Sequence, residues 1–135
     1  MSELEGSAEQ CDDAGARDAA ARRRLICVYI STFRPSATPL SSMRLREPWF
    51  SAVAAGRKTI EGRLASYRCA YGVVDISNVE NPARVFPVCV VGITHYRGWR
   101  ELLEVEGLER VLPGVSTIEA GVQVAIQLCC EARTV

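Results

Sequence analysis

Between Glu47 and Leu64 the chain carries a proline, an apolar cluster, a glycine and then an extended run, an order that few folds accommodate. Pro48 suits the first turn of a helix, where its missing N–H costs nothing, and Gly56 suits the residue just past a helix end. Between them, Trp49, Phe50, Val53 and Ala54 cluster on one side of a short helix. Beyond Gly56 the segment Thr59 to Leu64 can be extended. Period two then puts Thr59, Glu61 and Arg63 on one face and Ile60 on the other. Lys58 falls in the wrong phase to share that face from within a regular strand, so it joins Glu61 and Arg63 only from the turn that Gly56 opens.

The stretch Gly56-Arg57-Lys58-Thr59-Ile60-Glu61-Gly62-Arg63 has the spacing G-x-K-x-x-E-x-R and holds the only lysine in 135 residues, every other permanent cation being arginine. Lysine offers what arginine cannot, a compact charge able to lose its proton when desolvated. Read blandly, the stretch is a surface ion-pair cluster. Read functionally, it is a polar cleft in which Lys58 and Arg63 hold an anion or a polarised carbonyl while Glu61 orients a water or accepts a proton. Arg63 would keep Glu61 ionised, and partial burial would ease Lys58 toward neutrality.

Around this stretch the chain reads as one α+β domain. Residues 1 to about 21 are rich in Ser, Glu, Asp, Gly and Ala without sustained apolar periodicity, as in a flexible leader. The leader is expected to run to residue 42, with a candidate strand at 25–30 and a Pro/Ser loop after it, and the domain to span 43–130. Val73 to Ile76 and Val85 to Ile93 are β-branched runs separated by Asn78, Asn81 and Pro82, which predicts two strands. Helical spacing follows from Trp99 to Leu112, interrupted at Gly107 and stopped by Pro113-Gly114. Ser116-Thr117-Ile118-Glu119 has the pattern of a capping box opening a short helix that Gly121 ends. Val122, Val124, Ile126 and Leu128 then alternate with Gln123, Ala125 and Gln127, which predicts a final strand.

The longest early apolar run, Leu25 to Ile30, is far short of the ~20 residues that a membrane span needs. It follows Arg22-Arg23-Arg24, but acidic residues precede these and the apolar core is too brief for a secretory signal. Six cysteines without a C-x-x-C pair, and with His95 as the sole histidine, predict no metal site, no cofactor and a reduced intracellular protein. Net charge is zero, yet residues 16–72 hold eleven bases against three acids. That basic middle third suits an anionic partner, and its candidate nucleic-acid contacts are Arg44, Arg46, Arg57, Lys58 and Arg63. Tyr96, at the end of the second central strand, is expected to point into the same pocket while its neighbour His95 faces solvent.

The segments Met43 to Phe50, Gly56 to Arg63, Thr94 to Leu103, Leu112-Pro-Gly114 and Glu119-Ala-Gly121 together resemble the ASCH domain family. The resemblance implies a small β-barrel related to the PUA fold, with short helices packed at its ends and a cleft lined by the motif. It also implies binding of RNA or a modified nucleoside; some members cleave single-stranded RNA and some remove acetate from N4-acetylcytidine. Carried over by position, Gly56 is the structural glycine, Lys58, Glu61 and Arg63 match the motif, and Tyr96 matches the aromatic closing the later strand. The small amidohydrolases similar to this domain tend to carry threonine where Glu61 stands, which argues against assigning their activity.

Three readings follow. In the first, the cleft binds RNA or a modified nucleoside, with Lys58, Glu61 and Tyr96 as catalytic candidates if the chain is a ribonuclease. In the second, the chain is an amidohydrolase acting on an acylated base. In the third, it is a non-catalytic module that meets a protein partner through its leader and the acidic helix face of Glu101, Glu104, Glu106 and Glu109.

Overall fold

A computed structural model describes residues 24–32 and 37–133, the side chains of residues 130–133 excepted. Of the leader expected over residues 1–42, residues 1–23 and 33–36 lie outside the described residues. Five strands form one curled mixed sheet: β1 (Leu25–Ser31), β2 (Ser41–Leu45), β3 (Ile60–Leu64), β4 (Gly72–Asn78) and β5 (Val85–Tyr96). They lie in the order β2-β4-β5-β1-β3. Only β2 and β4 run parallel, and the other neighbours are antiparallel. Four helices complete the fold: α1 (Trp49–Ala54), α2 (Trp99–Glu106), α3 (Leu108–Val111) and α4 (Ile118–Arg133). The expected α+β class is therefore what the chain adopts, and the expected small β-barrel takes the form of a curled five-stranded half-barrel with four short helices.

β1 corrects the expected organisation. The candidate strand at 25–30 is no part of a flexible leader, because it lies between β3 and β5 and pairs with both. Its uninterrupted apolar run suits a strand buried on two faces. Ile26, Val28 and Ile30 point into a core shared with Met43, Leu45, Phe50, Val53, Val74, Ile76, Val88 and Val90. Leu25 and Cys27 point the other way, against Trp49, Ile60, Leu102, Leu103, Val111 and Leu112. Each buried aliphatic side chain is worth ~1.5–3 kcal/mol, so the sheet depends on this strand. β2, for which the sequence reading predicts no strand, begins at Ser41, two residues before the expected start of the domain. Its two serines and Arg44 disguise an edge strand that is anchored by Met43 and Leu45 in alternate positions.

The predicted final strand over 122–128 is a helix, and Gly121 lies inside that helix rather than ending it. Ala125, counted with the polar phase of the alternation, is 3% exposed, whereas Ile126 is 44% exposed. Ile118, Gly121, Val122, Ala125 and Leu128 then form one helical stripe against α2 and α3. The alanines, glutamines and leucine are good helix formers, and the Thr117 hydroxyl accepts the Ala120 N–H at 3.1 Å as a cap. Gly121 lets the helix pack closely: a Cβ there would meet Leu108 Cδ1 at 2.8 Å and Leu103 Cδ1 at 3.0 Å, so both leucines would have to shift. Among the described residues no helix is long and apolar enough to cross a membrane.

Candidate functional site

The turn after α1 aims Lys58 inward. Gly56 has φ +81°, a region that L side chains rarely adopt. The Gly56 N–H bonds the Val53 carbonyl and the Arg57 N–H reaches back to the Ala52 carbonyl, both at 3.0 Å, which together make a Schellman ending. The Lys58 N–H shares the Ala52 carbonyl at 3.1 Å, and Thr59 is fastened to Arg110 and to Ile30 by backbone bonds. Lys58 therefore enters the interior before β3 begins, as the phase of the motif requires.

Its side chain is 2% exposed. The ammonium donates to the Ile60 carbonyl at 2.6 Å and to the Val111 carbonyl, at the end of α3, at 2.5 Å. Its third partner is Glu61 Oε1 at 3.1 Å. An ammonium has three donors, so the protein occupies them all. The other oxygen of Glu61 accepts from Arg63 Nε at 2.7 Å, and Arg63 Nη2 donates to the Arg44 carbonyl at 2.8 Å. Burial pushes the Lys58 pKa down, with Glu61 working against the shift. Burial alone would push the Glu61 carboxyl up, but the Lys58 and Arg63 charges reverse this and hold it below the ordinary value. Burial likewise opposes the charge of Arg63, and Glu61 outweighs it.

This chain of three charges borders a cleft of about 370 Å³ that wraps around edge strand β3. Trp49, Trp99 and Tyr67 are its aromatic lining, and Arg44 and Arg46 join them from β2 and the turn after it. The Arg63 guanidinium lies 4.8 Å from the centroid of the Tyr67 ring, within cation–π range. Gly62 lets Trp99 approach the strand, since a Cβ there would lie 2.5 Å from Trp99 Cζ3. Ala125 and Leu128, from the stretch expected to be a strand, and Cys129 just beyond it add an apolar wall from α4.

Of the expected site residues, Lys58, Glu61, Arg63, Arg44 and Arg46 line this cleft, and Gly56 shapes its turn. Arg46 also pairs with Glu80 at 3.2 Å. Arg57 is exposed and does not line the cleft. Tyr96 is the main correction: its hydroxyl donates to Glu106 Oε2 at 2.5 Å, an oxygen that also accepts from Tyr29, and it does not reach the cleft. Its phase on β5 puts it on the helix-covered face, with Leu25 as its cross-strand partner on β1. His95 is exposed, as expected. Trp49 and Trp99 belong to the helix-covered core and reach the cleft as well; Tyr67 is the cleft residue that the sequence reading leaves out, its one signal being an aromatic placed four residues after Arg63.

A family model described as the ASCH domain matches residues 43–129. The match begins within β2 and leaves out β1, although β1 is interior to the sheet. No curated protein matches the chain. Among solved structures, the crystal structure of the hypothetical protein PH0355 is similar, with 38% sequence identity and a TM-score of 0.56. The similarity covers 69% of this chain and 85% of that one.

Proposed function

The chain belongs to the ASCH domain family, and from that membership and the form of its cleft we propose that it binds a nucleobase, presented by single-stranded RNA or as a modified nucleoside. The observation that carries this reading is the Lys58–Glu61–Arg63 chain set beside an aromatic-lined space of about 370 Å³. That space falls within the range of ordinary small-ligand pockets. The half-buried Trp99 and Tyr67, with the buried Trp49 beside them, offer aromatic surface on which a base can stack, which is how unpaired RNA bases are commonly held. Arg44 and Arg46 supply positive charge to a phosphate at the same cleft.

Binding is favoured over cleavage by the way the charges are spent. Glu61 is held ionised by two cations and is a weak proton acceptor, whereas a general base works best with a pKa near the working pH. The Lys58 donors all go to protein oxygens. These two residues, catalytic candidates by sequence, serve here to fix Arg63 and the floor of the cleft.

The test is titration of the protein with single-stranded RNA and with nucleosides, followed by tryptophan fluorescence and by mobility shift. The expected result is saturable quenching, weakened by added salt and by Arg44→Glu with Arg46→Glu, with the RNA recovered intact. Absence of quenching and of any shift with all of these ligands would overturn the reading. Release of acetate from N4-acetylcytidine would replace it with the amidohydrolase reading.

A further inference from the structure

A second depression lies next to the cleft, and Tyr67 belongs to both. It is formed by the segment that follows β3, through Tyr67, Arg68 and Tyr71, and by Ile26, Ile93 and His95 on the sheet. The strand register explains the adjacency. Ile26 of β1 pairs with Arg63 of β3 on one side and with His95 of β5 on the other, so the three side chains form one row on one face. Arg63 ends that row in the cleft and His95 ends it in the second depression. At two strand spacings the ends are about 10 Å apart.

Ile26 belongs to the core and Tyr67, Cys69 and Ile93 pack against it, whereas Arg68, Tyr71 and His95 take no part in it. Tyr71 is 58% exposed. Arg68 and His95 are exposed beside it. Tyr67 is braced between the two spaces, its ring under Arg63 and its hydroxyl 3.4 Å from the Ser42 carbonyl. An aromatic side chain and a cation, both solvent-facing and continuous with an aromatic, cationic cleft, are the two elements with which proteins track single-stranded nucleic acid.

We propose that this depression is a second nucleotide subsite, so that the ligand of the cleft is a single-stranded RNA chain running across Tyr67 rather than a free nucleoside. The inference rests on the nucleobase reading of the cleft. One base occupies the cleft, the adjoining base stacks on Tyr71, and Arg68 meets the phosphate of that neighbour.

The experiment compares two probes, uridine monophosphate and a short labelled oligouridylate, against wild type, Tyr71→Ala, Tyr71→Phe, Arg68→Ala and Arg63→Ala. Tyr71 and Arg68 are exposed, so their replacement leaves the fold intact, and circular dichroism checks this. The second subsite requires that Tyr71→Ala weaken the oligonucleotide about tenfold while leaving the mononucleotide unchanged. Tyr71→Phe, which keeps the ring, binds as wild type does. Arg68→Ala reduces the slope of log affinity against log salt by about 0.7. Arg63→Ala weakens both probes. Oligonucleotide binding that is indifferent to Tyr71 and Arg68 would overturn the second subsite and leave the cleft reading standing. If wild type binds neither probe, the second subsite falls together with the single-stranded RNA form of the cleft reading.

Discussion

Lys58 Nζ and Glu61 Oε1 lie 3.1 Å apart, with the two side chains only 2% and 12% exposed. Removing one partner of such a pair strands the other charge away from water, a loss of ~3–5 kcal/mol. Arg63 still neutralises Glu61, so Lys58→Met is expected at the low end, ~3 kcal/mol. The double variant Lys58→Met with Glu61→Gln should lose less than the sum of the single variants, because no carboxylate is then left short of a cation. Urea unfolding at neutral pH measures all three, and strictly additive losses would show that the pair is not coupled.

The same carboxylate sets the acid limit of the fold. Both Glu61 and Glu47 are held below the ordinary carboxyl value in the folded protein. At Glu61, Lys58 and Arg63 overcome the effect of burial; at Glu47 the hydrogen bond from the Ser51 hydroxyl, at 2.8 Å, leads. A depressed folded pKa means stability that is fully present above the unfolded value, about 4.3, and lost as pH falls through the folded one. Unfolding midpoints should therefore be level at neutral pH and fall below about pH 4. Glu61→Gln is expected to lower the neutral plateau and to flatten the acid slope, and an unchanged slope would remove Glu61 as a cause.

How far these features were legible depends on their range along the chain. The helix–glycine–strand unit was readable because its signals are local: Pro48 opens it, Gly56 closes it with a positive φ, and the phase of Lys58 forces that residue into the turn. The strands β4 and β5 and the break at Gly107 were readable for the same reason. α4 was not, because Val122 to Leu128 satisfies two periods and the arbiter is the small, buried Ala125 packed by distant helices. Tyr96 was misplaced through its partner. Nothing local to β5 announces that Glu106, ten residues on and across a helix, takes its hydroxyl. The fastening of Lys58 to Val111, 53 residues away, was equally invisible.

Gly62 and Trp99 offer a steric test of the cleft. A methyl group at position 62 would lie 2.5 Å and 3.0 Å from two atoms of the Trp99 ring and 3.2 Å from Leu102 Cδ1. The indole is too large to yield without moving, so Gly62→Ala is expected to cost ~1–3 kcal/mol as overpacking. Because Trp99 lines the cleft, its fluorescence maximum should shift as well. A thermal melt and an emission spectrum check both outcomes. An unshifted melt would mean that the ring has room to retreat.

On the same helix-covered face of the sheet, Tyr29 of β1 and Tyr96 of β5 both donate to the same oxygen of Glu106. The Tyr29 phenol is pushed up to about 12, by burial first and then by its bond to Glu106, with the contact to Thr94 acting the other way. A raised folded pKa contributes stability that is complete below the ordinary value of about 10 and is lost as pH climbs through the folded one. Ultraviolet titration of wild type against Tyr29→Phe isolates this phenol, which is expected to ionise near 12. Glu106→Gln takes away the charge that the phenolate would face, so ionisation should fall toward about 10 yet stop short of it, because burial remains. Ionisation at the ordinary value in wild type would show that neither burial nor Glu106 governs this phenol. A value that ignores Glu106→Gln would assign the whole shift to burial.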